Sequence, residues 1–438
     1  MRSSKWLEQR RNAARVVPQV KDLQATGQQS GKIEPTEAEG AGPSLLKEGA
    51  AKAITDGSIL EHYAEELIAD YTKHYGDKVG SNVPKTLSYS TMFSGSDISS
   101  YCLEAVGSAM KMHGGPIEFK QLWCCENHKR KRQWLMDLTN RKVCAFQDAS
   151  FMGGRSAPCE THKGRCAIHR PNILLCGFSC KDLSRQNSAS NRQNLLKQTS
   201  SPGGSSNTFH YMLGHLDAHK PDIVIIENSD ALCDGRENDD SNLSVALAEL
   251  SSRGYDAQVT ILNTSQYLLP SRRPRTYIVS VLEDSEMFEI KNYDAFFKFF
   301  VHMLKRAQRA PPDALDALLP NDHPLVKKEL ATLLQAPSAG APWEPGSLDI
   351  HQKHYQSKNI RFGSLEFDAS EESEWLEVLT ARERDCLLFK KSFFVADAAH
   401  DLNQSIGRGC RNSVVAGKTL SPATLPSSKL WWILRQRF

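Results

Sequence analysis

The chain is 438 residues long, 40% hydrophobic and 24% charged, with a formal net charge of +3. That length and composition suit a large α/β domain with a smaller one and exclude a wholly disordered chain. No apolar run approaches the roughly 20 residues that span a bilayer, residues 1–17 lack the apolar core of a secretory signal, and so small a net charge confines nucleic-acid contact to a local basic patch. Eleven cysteines without an export signal read as reduced thiols, which leaves reactive or metal-binding cysteine open.

Residues 1–57 are rich in Gln, Glu, Gly, Ser and Ala and read as a disordered tail. The Arg-rich start (Arg2, Arg10, Arg11, Arg15) fits a solvated tail better than an organelle transit peptide. From Ile59, "ILEHYAEELIADY" sets Leu60, Tyr63, Ala64, Leu67, Ile68 and Tyr71 on one helical face. Seven β-like runs then alternate with helical patterns: "TLSYSTMF", "FKQLWCCE", "KVCAFQD", "NILLCG", "DIVIIEN", "DAQVTILN" and "TYIVSVLE". The alternation predicts an α/β domain over 58–285, a doubly wound, mostly parallel sheet whose last two runs are close enough for an antiparallel hairpin. Ligands of such a sheet sit at the carboxyl ends of its strands. Beyond it, "YDAFFKFFVHMLKRA" predicts an amphipathic helix burying Phe296, Phe297, Phe300 and Leu304, and "APPDALDALLPNDHP" and "QAPSAGAPWEPG" read as loops.

Polar residues gather at the strand ends. In "MFSGSD", Gly95 between Ser94 and Ser96 lets backbone approach a ligand before a helix begins near Ser99. Glu126 ends the second run, where a carboxylate suits ribose hydroxyls, and Asp148 ends the third; each alone also reads as a helix cap. Cys180 and Glu227 close the fourth and fifth. Cys176 lies inside an apolar run, as a structural thiol does, whereas Cys180 lies past Gly177 among small and polar neighbours. Exposure beside Lys181 and Arg185 suits a reactive thiol. The stretch "CETHKGRCAIH" gives Cys159-x2-His162-x3-Cys166-x2-His169, zinc-ligand types at suggestive spacing. Its middle spacer is short and it precedes a strand, so it reads as a solvated loop, and no metal is expected.

Four segments carry a resemblance: "FSGSD" at Phe93–Asp97, "GFSCKDLS", "IENSDAL" at Ile226–Leu232, and "LNTSQYLLPSRRPRTYIVSV" at Leu262–Val281. In order and spacing they resemble the cytosine-5 DNA methyltransferases that use S-adenosylmethionine. The likeness covers Thr86–Glu283 and, more faintly, Trp375–Phe438, through "LTARERDCLLF" and "DLNQSIGR". It implies a class I methyltransferase sheet, Rossmann-like with an antiparallel last strand, a smaller target-recognition insert over 286–374, and a segment returning to the catalytic domain over 375–438. It also implies S-adenosyl-L-methionine held by Phe93, Ser94, Gly95, Glu126 and Asp148. The implied substrate is cytosine in double-stranded DNA, flipped from the stack, in the nucleus.

The same resemblance gives Cys180 the role of nucleophile at C6, Glu227 that of holding the N3 and amino edge, and Asn228 that of fixing the loop behind it. Arg273 and Arg275 fit positions that reach the base's O2 and hold the nucleophile loop. The basic, apolar-poor stretch Lys181–Ser206, with Arg185, Arg192 and Lys197, reads as a lid over the extruded base that touches phosphates. Two positions depart from the family pattern, Ser179 where it has proline and Ser271 where it has glutamine. The branch acting on transfer RNA is the alternative, but its Cys-Phe-Thr motif is absent: Cys233 is followed by Asp234 and Gly235. A catalytically silent nucleic-acid-binding relative is a further alternative, opposed by intact Cys180, Glu227 and Arg275. No Gly-Asn element follows before Phe438, so the expectation is a cofactor pocket short of one wall and weak cofactor binding.

Overall fold

The computed structural model describes residues 59–75, 86–115, 117–183, 195–197, 203–234, 241–268, 273–285, 287, 290, 292–310, 324, 327–328, 331–332, 335, 340–343, 347–366, 374–377, 379–393, 398–399 and 414–415. The tail over 1–57, Arg185 and Arg192 of the expected lid, Ser271, "DLNQSIGR" and everything after Val415 lie outside the described residues. The chain forms two compact units. The first contains Leu60–Leu262 and Pro274–Arg306, the second Asn263–Arg273 and the residues from Ala307 onward.

The first unit is built on a nine-stranded sheet: β1 Thr86–Met92, β2 Glu118–Cys125, β3 Cys144–Phe146, β4 Ser156–Cys159, β5 Gly164–Ala167, β6 Ile173–Cys176, β7 Ile223–Ser229, β8 Tyr255–Asn263 and β9 Pro274–Leu282. Their order across the sheet is β5-β4-β3-β2-β1-β6-β7-β9-β8. Strands β3, β2, β1, β6 and β7 run parallel, and β9 runs antiparallel to β7. All seven expected runs are strands. The central ones are short and apolar, as "NILLCG" and "DIVIIEN" require of strands covered on both faces. Strand order reverses at β1, which lies between β2 and β6, and this is where doubly wound sheets open a ligand crevice.

Strands β4 and β5 correct the reading of "CETHKGRCAIH" as a loop. The segment forms an antiparallel hairpin, Ala157 facing Cys166 and Cys159 facing Gly164, added to the sheet beyond β3. Pro158 and the Lys163-Gly164 turn disguise it in sequence. The proline is tolerated because β4 meets β3 at one bridge only, Phe146 to Cys159.

Helices α1 Ile59–Tyr75, α2 Ile98–Met112, α3 Lys129–Leu138, α4 Ser205–His219, α5 Asn242–Ser252 and α6 Tyr293–Arg306 complete the unit. Ala64 of α1 packs on Ala105 and Ala109 of α2, small side chains that let the two backbones approach. On α6 only Phe297 is fully buried, while Phe296, Phe300 and Leu304 are half-buried, a narrower stripe than the pattern predicts. Trp123, Phe146, Met152, Phe209, Leu216 and Ile226 form the main core between sheet and helices.

In the second unit, α7 Ser347–Gln356 and α9 Ala381–Phe393, with the short α8 Glu374–Glu377 between them, frame a buried cluster. The Tyr355 hydroxyl donates to Asp385 Oδ1 (2.9 Å), and His351 Nδ1 bonds the other carboxylate oxygen. A capping box starts α9. Glu383 accepts from the Thr380 N–H (3.0 Å), and the Thr380 hydroxyl accepts from the Glu383 N–H (3.3 Å), the local reason "LTARERD" begins a helix.

Candidate active site

Each candidate residue of the first unit lies at or just beyond the carboxyl end of a parallel strand except Arg275, which opens the antiparallel strand β9. After β1 the chain turns sharply: Phe93 (φ 57°) and Asp97 (φ 53°) hold left-handed conformations that cost a non-glycine residue energy, and Gly95 holds one (φ 60°) that glycine adopts freely. The turn is fastened to the end of β2. The Ser94 N–H donates to the Cys125 carbonyl (3.1 Å), and the Gly95 N–H donates to Glu126 Oε2 (2.7 Å). Glu126 is buried and also accepts the His128 N–H on Oε1 (2.8 Å). Its own N–H donates to the Phe146 carbonyl (3.1 Å), tying it to β3.

This arrangement fits S-adenosylmethionine. A carboxylate offers about four acceptor positions and the backbone fills one on each Glu126 oxygen, so both oxygens keep capacity for vicinal ribose hydroxyls. A Cβ at Gly95 would meet nothing within 4 Å, so the turn faces open space. Asp148 is exposed and caps a single 3-10 turn through the Ser150 N–H (2.9 Å), the capping use its sequence also allows. Asp97, behind the turn, is buried, and burial pushes its carboxyl up against the lowering effect of donors Ser100 and Gln121.

Cys180 is exposed on the loop after β6, while Cys176 is wholly buried and its thiol is pushed up by burial. The loop is clasped at several points. The Ser179 N–H donates to the Thr208 hydroxyl (3.0 Å), the Asp182 N–H to the Ser205 hydroxyl (3.1 Å), and the Ser205 N–H returns a bond to Asp182 Oδ2 (2.8 Å). Phe178 is buried against Phe209, ring centroids 5.3 Å apart. Asn228 in β7 donates Nδ2–H to the Phe178 carbonyl (3.0 Å) and accepts the Ser229 N–H on Oδ1 (2.8 Å).

Glu227 points to the opposite side of β7 from Asn228, its side chain 42% exposed, and pairs with Arg275 Nε of β9 at 3.0 Å. A Cβ at Gly177 would lie 3.6 Å from Glu227 Oε2, so the carboxylate stands over the start of the Cys180 loop. The structure thus brings Glu227, Asn228 and Arg275 to the loop that carries Cys180, and Ser94, Gly95 and Glu126 together at the neighbouring strand ends. Arg273 belongs to the second unit, where its N–H donates to Asn263 Oδ1 (3.0 Å).

Several supporting residues escape a reading of sequence. The Asp182–Ser205 clasp joins residues 23 positions apart, and no periodicity signals it. Arg132 sits in the charged run "HKRKRQW", which reads as a solvated face, yet its guanidinium is buried and donates to the carbonyls of Glu126 (2.8 Å) and Asn127 (2.9 Å).

The profile of the C-5 cytosine-specific DNA methylase family matches residues 92–344, more than half of the chain. The DNA (cytosine-5-)-methyltransferase DMT5 of Cryptococcus neoformans var. grubii is 26% identical over 253 residues, 58% of this chain and 10% of that protein. The type II methyltransferase M.MspI of Moraxella sp. is 25% identical over 122 residues, 28% of this chain and 27% of that one. This chain therefore spans only a minor part of the length of either relative. Among solved structures, the Entamoeba histolytica methyltransferase EhMeth aligns at 12% identity and a TM-score of 0.35 over 59% of this chain and 68% of that one. The S. pombe Dnmt2 methyltransferase aligns at 15% and 0.29 over 49% and 54%. The family match takes in the β1 turn, the Cys180 loop and the Glu227–Arg275 pair alike, and the chain belongs to the C-5 cytosine-specific DNA methylase family.

Proposed function

We propose that this chain methylates C5 of cytosine in double-stranded DNA, with Cys180 as a covalent nucleophile. One observation carries the reading. Asn228 fastens the Cys180 loop, and its neighbour Glu227 faces the other way into the Arg275 pair, so one strand holds both the loop and the carboxylate. C5 of cytosine is a poor nucleophile. Addition of the Cys180 thiolate at C6, with a proton delivered to N3 by Glu227, converts the ring into an enamine whose C5 can attack. Glu227 accepts from the exocyclic amino group in the same contact, which fixes the base. Arg275 orients Glu227, and Arg273 is assigned to the base's O2. The Phe93–Gly95 turn and Glu126, together with Asp148, would hold S-adenosylmethionine, which would supply an electrophilic methyl group and leave as its thioether. A water or hydroxide at the solvent-exposed site then takes the C5 proton, the C5–H electrons re-form the C5=C6 double bond as the C6–S bond breaks and the Cys180 thiolate leaves, and the N3 proton returns to Glu227. A stacked base exposes neither face, so the cytosine must leave the duplex first.

Duplex DNA rather than transfer RNA is favoured because the Cys-Phe-Thr motif of the transfer-RNA branch does not occur in this sequence. The test is a duplex carrying 5-fluorocytosine, incubated with the chain and S-adenosylmethionine. Fluorine at C5 blocks proton removal, so an adduct stable to denaturing electrophoresis should form, vanish in Cys180→Ser and persist in Cys176→Ser. An adduct lost in Cys176→Ser but kept in Cys180→Ser overturns the nucleophile. Methyl transfer to transfer RNA but not to duplex DNA overturns the substrate. Glu227→Gln should slow methyl transfer by about 100-fold or more while changing cofactor affinity little, as expected of a group that acts in the transition state.

A further inference from the structure

Beyond the strand ends, on the β4–β5 edge, three cysteines and a histidine converge. Cys144 opens β3, Cys159 closes β4, Cys166 lies in β5, and His162 sits in the turn between the last two. Their ligand atoms all lie within 4.8 Å of one another. His162 Nδ1 stands 3.5 Å from Cys144 Sγ, 3.5 Å from Cys159 Sγ and 3.3 Å from Cys166 Sγ. Hydrogen bonding does not account for this. A neutral imidazole nitrogen carries either one proton or one lone pair, so it satisfies one sulfur and not three. A tetrahedral ion does account for it: Zn–S near 2.3 Å and Zn–N near 2.0–2.1 Å place nitrogen and sulfur vertices about 3.5 Å apart.

We propose that Cys144, Cys159, His162 and Cys166 form a structural zinc site. The donor set is Cys3His, a closed shell with no place for a water or substrate, and so a structural and not a catalytic centre. The backbone is shaped for it. The Thr161 hydroxyl donates to the Val143 carbonyl (2.8 Å) and accepts the Ala145 N–H (3.1 Å), and the Glu160 N–H donates to the Ala145 carbonyl (2.9 Å). These bonds hold the turn against β3 on both sides of Cys144, the ligand that arrives from elsewhere in the sequence. Lys163, at φ 55°, reverses the chain directly after the histidine ligand. His169, which the spacing offers as a ligand, is not one: it lies beyond β5, where its carbonyl accepts the Trp123 indole N–H (2.9 Å). The hairpin is only four residues a side with a proline in it, too short to stand alone, and the ion would rivet it to β3.

The full chain, purified without chelator and assayed by elemental analysis, should contain one zinc per molecule. Cys144→Ser and Cys166→Ser should each lower that several-fold, and His169→Ala should not. Since a ligand variant can fail to fold, the wild-type chain is also exchanged with cobalt(II), which should give the intense visible bands of tetrahedral thiolate coordination. Chelator should lower the melting temperature of the wild type. Metal-free wild type with no cobalt bands overturns the proposal, as does a disulfide among Cys144, Cys159 and Cys166 in chain purified under reducing conditions, or zinc lost in His169→Ala but kept in Cys144→Ser.

Discussion

Asn228→Ala tests whether the Cys180 loop is held from β7. The carboxamide is 2% exposed and makes two bonds, to the Phe178 carbonyl and from the Ser229 N–H. Truncation leaves both partners unpaired in a buried setting at about 1–3 kcal/mol each, and water entering the vacated volume recovers part, for a net loss of about 2–4 kcal/mol. Urea unfolding of the variant beside the parent reads that loss. The functional effect is larger than stability alone would give, because Phe178 stands two residues from Cys180. Loosening its carbonyl lets the sulfur wander, and misplacement of a reacting atom by about 1 Å costs on the order of 100-fold in rate. Single-turnover methyl transfer, measured at a urea-free temperature where the variant is fully folded, should show that drop with cofactor affinity unchanged. A variant within about 0.5 kcal/mol of the parent, with the parental rate, would refute the reasoning.

Other expectations are smaller. Asp182→Ala removes one half of the reciprocal clasp with Ser205 at the start of α4 and should cost about 1 kcal/mol in urea unfolding, while raising proteolytic nicking of the Cys180 loop. His215 is buried beside Trp123, its Nδ1–H donating to the Met152 carbonyl, and burial lowers its pKa to about 4. The unfolded chain protonates there near 6.5, so this contribution is complete above about pH 6.5 and drains as pH falls toward 4. The total is about 3 kcal/mol, and His215→Gln should flatten that slope. Asp97 works in the opposite sense. Burial raises its carboxyl, so the folded state favours the proton and stability falls as pH rises from the ordinary carboxylate range through the raised value; Asp97→Asn should remove that fall in urea titrations run upward from the ordinary carboxylate range.

The parallel strands were legible because each is an apolar run followed by a polar or small residue at its carboxyl end, and the sheet class follows from their alternation with helices. The exposure of Cys180 was legible for a related reason, a thiol placed four residues past the end of such a run and beyond Gly177, and the buried state of Cys176 completes the contrast. The β4–β5 hairpin was not, since Pro158 and a four-residue turn carry the local signature of a loop and it is anchored to the sheet by the pairing of Cys159 with Phe146 of β3, 13 residues earlier. Cys144 escaped for the same reason: it joins the other three only through strand pairing, which spacing within one segment does not encode. Arg132 shows a further limit. Nothing in the six consecutive polar residues His128–Gln133 marks the one whose guanidinium replaces solvent at two carbonyls.

The antiparallel pairing of β7 with β9 sets a parity rule on this fold. Ile226 and Asn228 turn to one side of the sheet and are buried, and Glu227 between them turns to the other. Arg275 reaches it because Ser229 is opposite Arg275 and Glu227 is opposite Tyr277 along that pairing. A single residue inserted into β7 ahead of Ile226 would exchange the two sides at a stroke, sending the Glu227 carboxylate into the core, and one inserted into β9 ahead of Arg275 would turn the guanidinium away from it. Length changes within these strands are therefore tolerable only in pairs, whereas the connections at 230–241 and 264–273 can lengthen without altering which side Glu227 faces. Insertions and deletions in relatives of this chain should accumulate in those connections and be absent from the Ile226–Asn228 and Arg275–Tyr277 stretches.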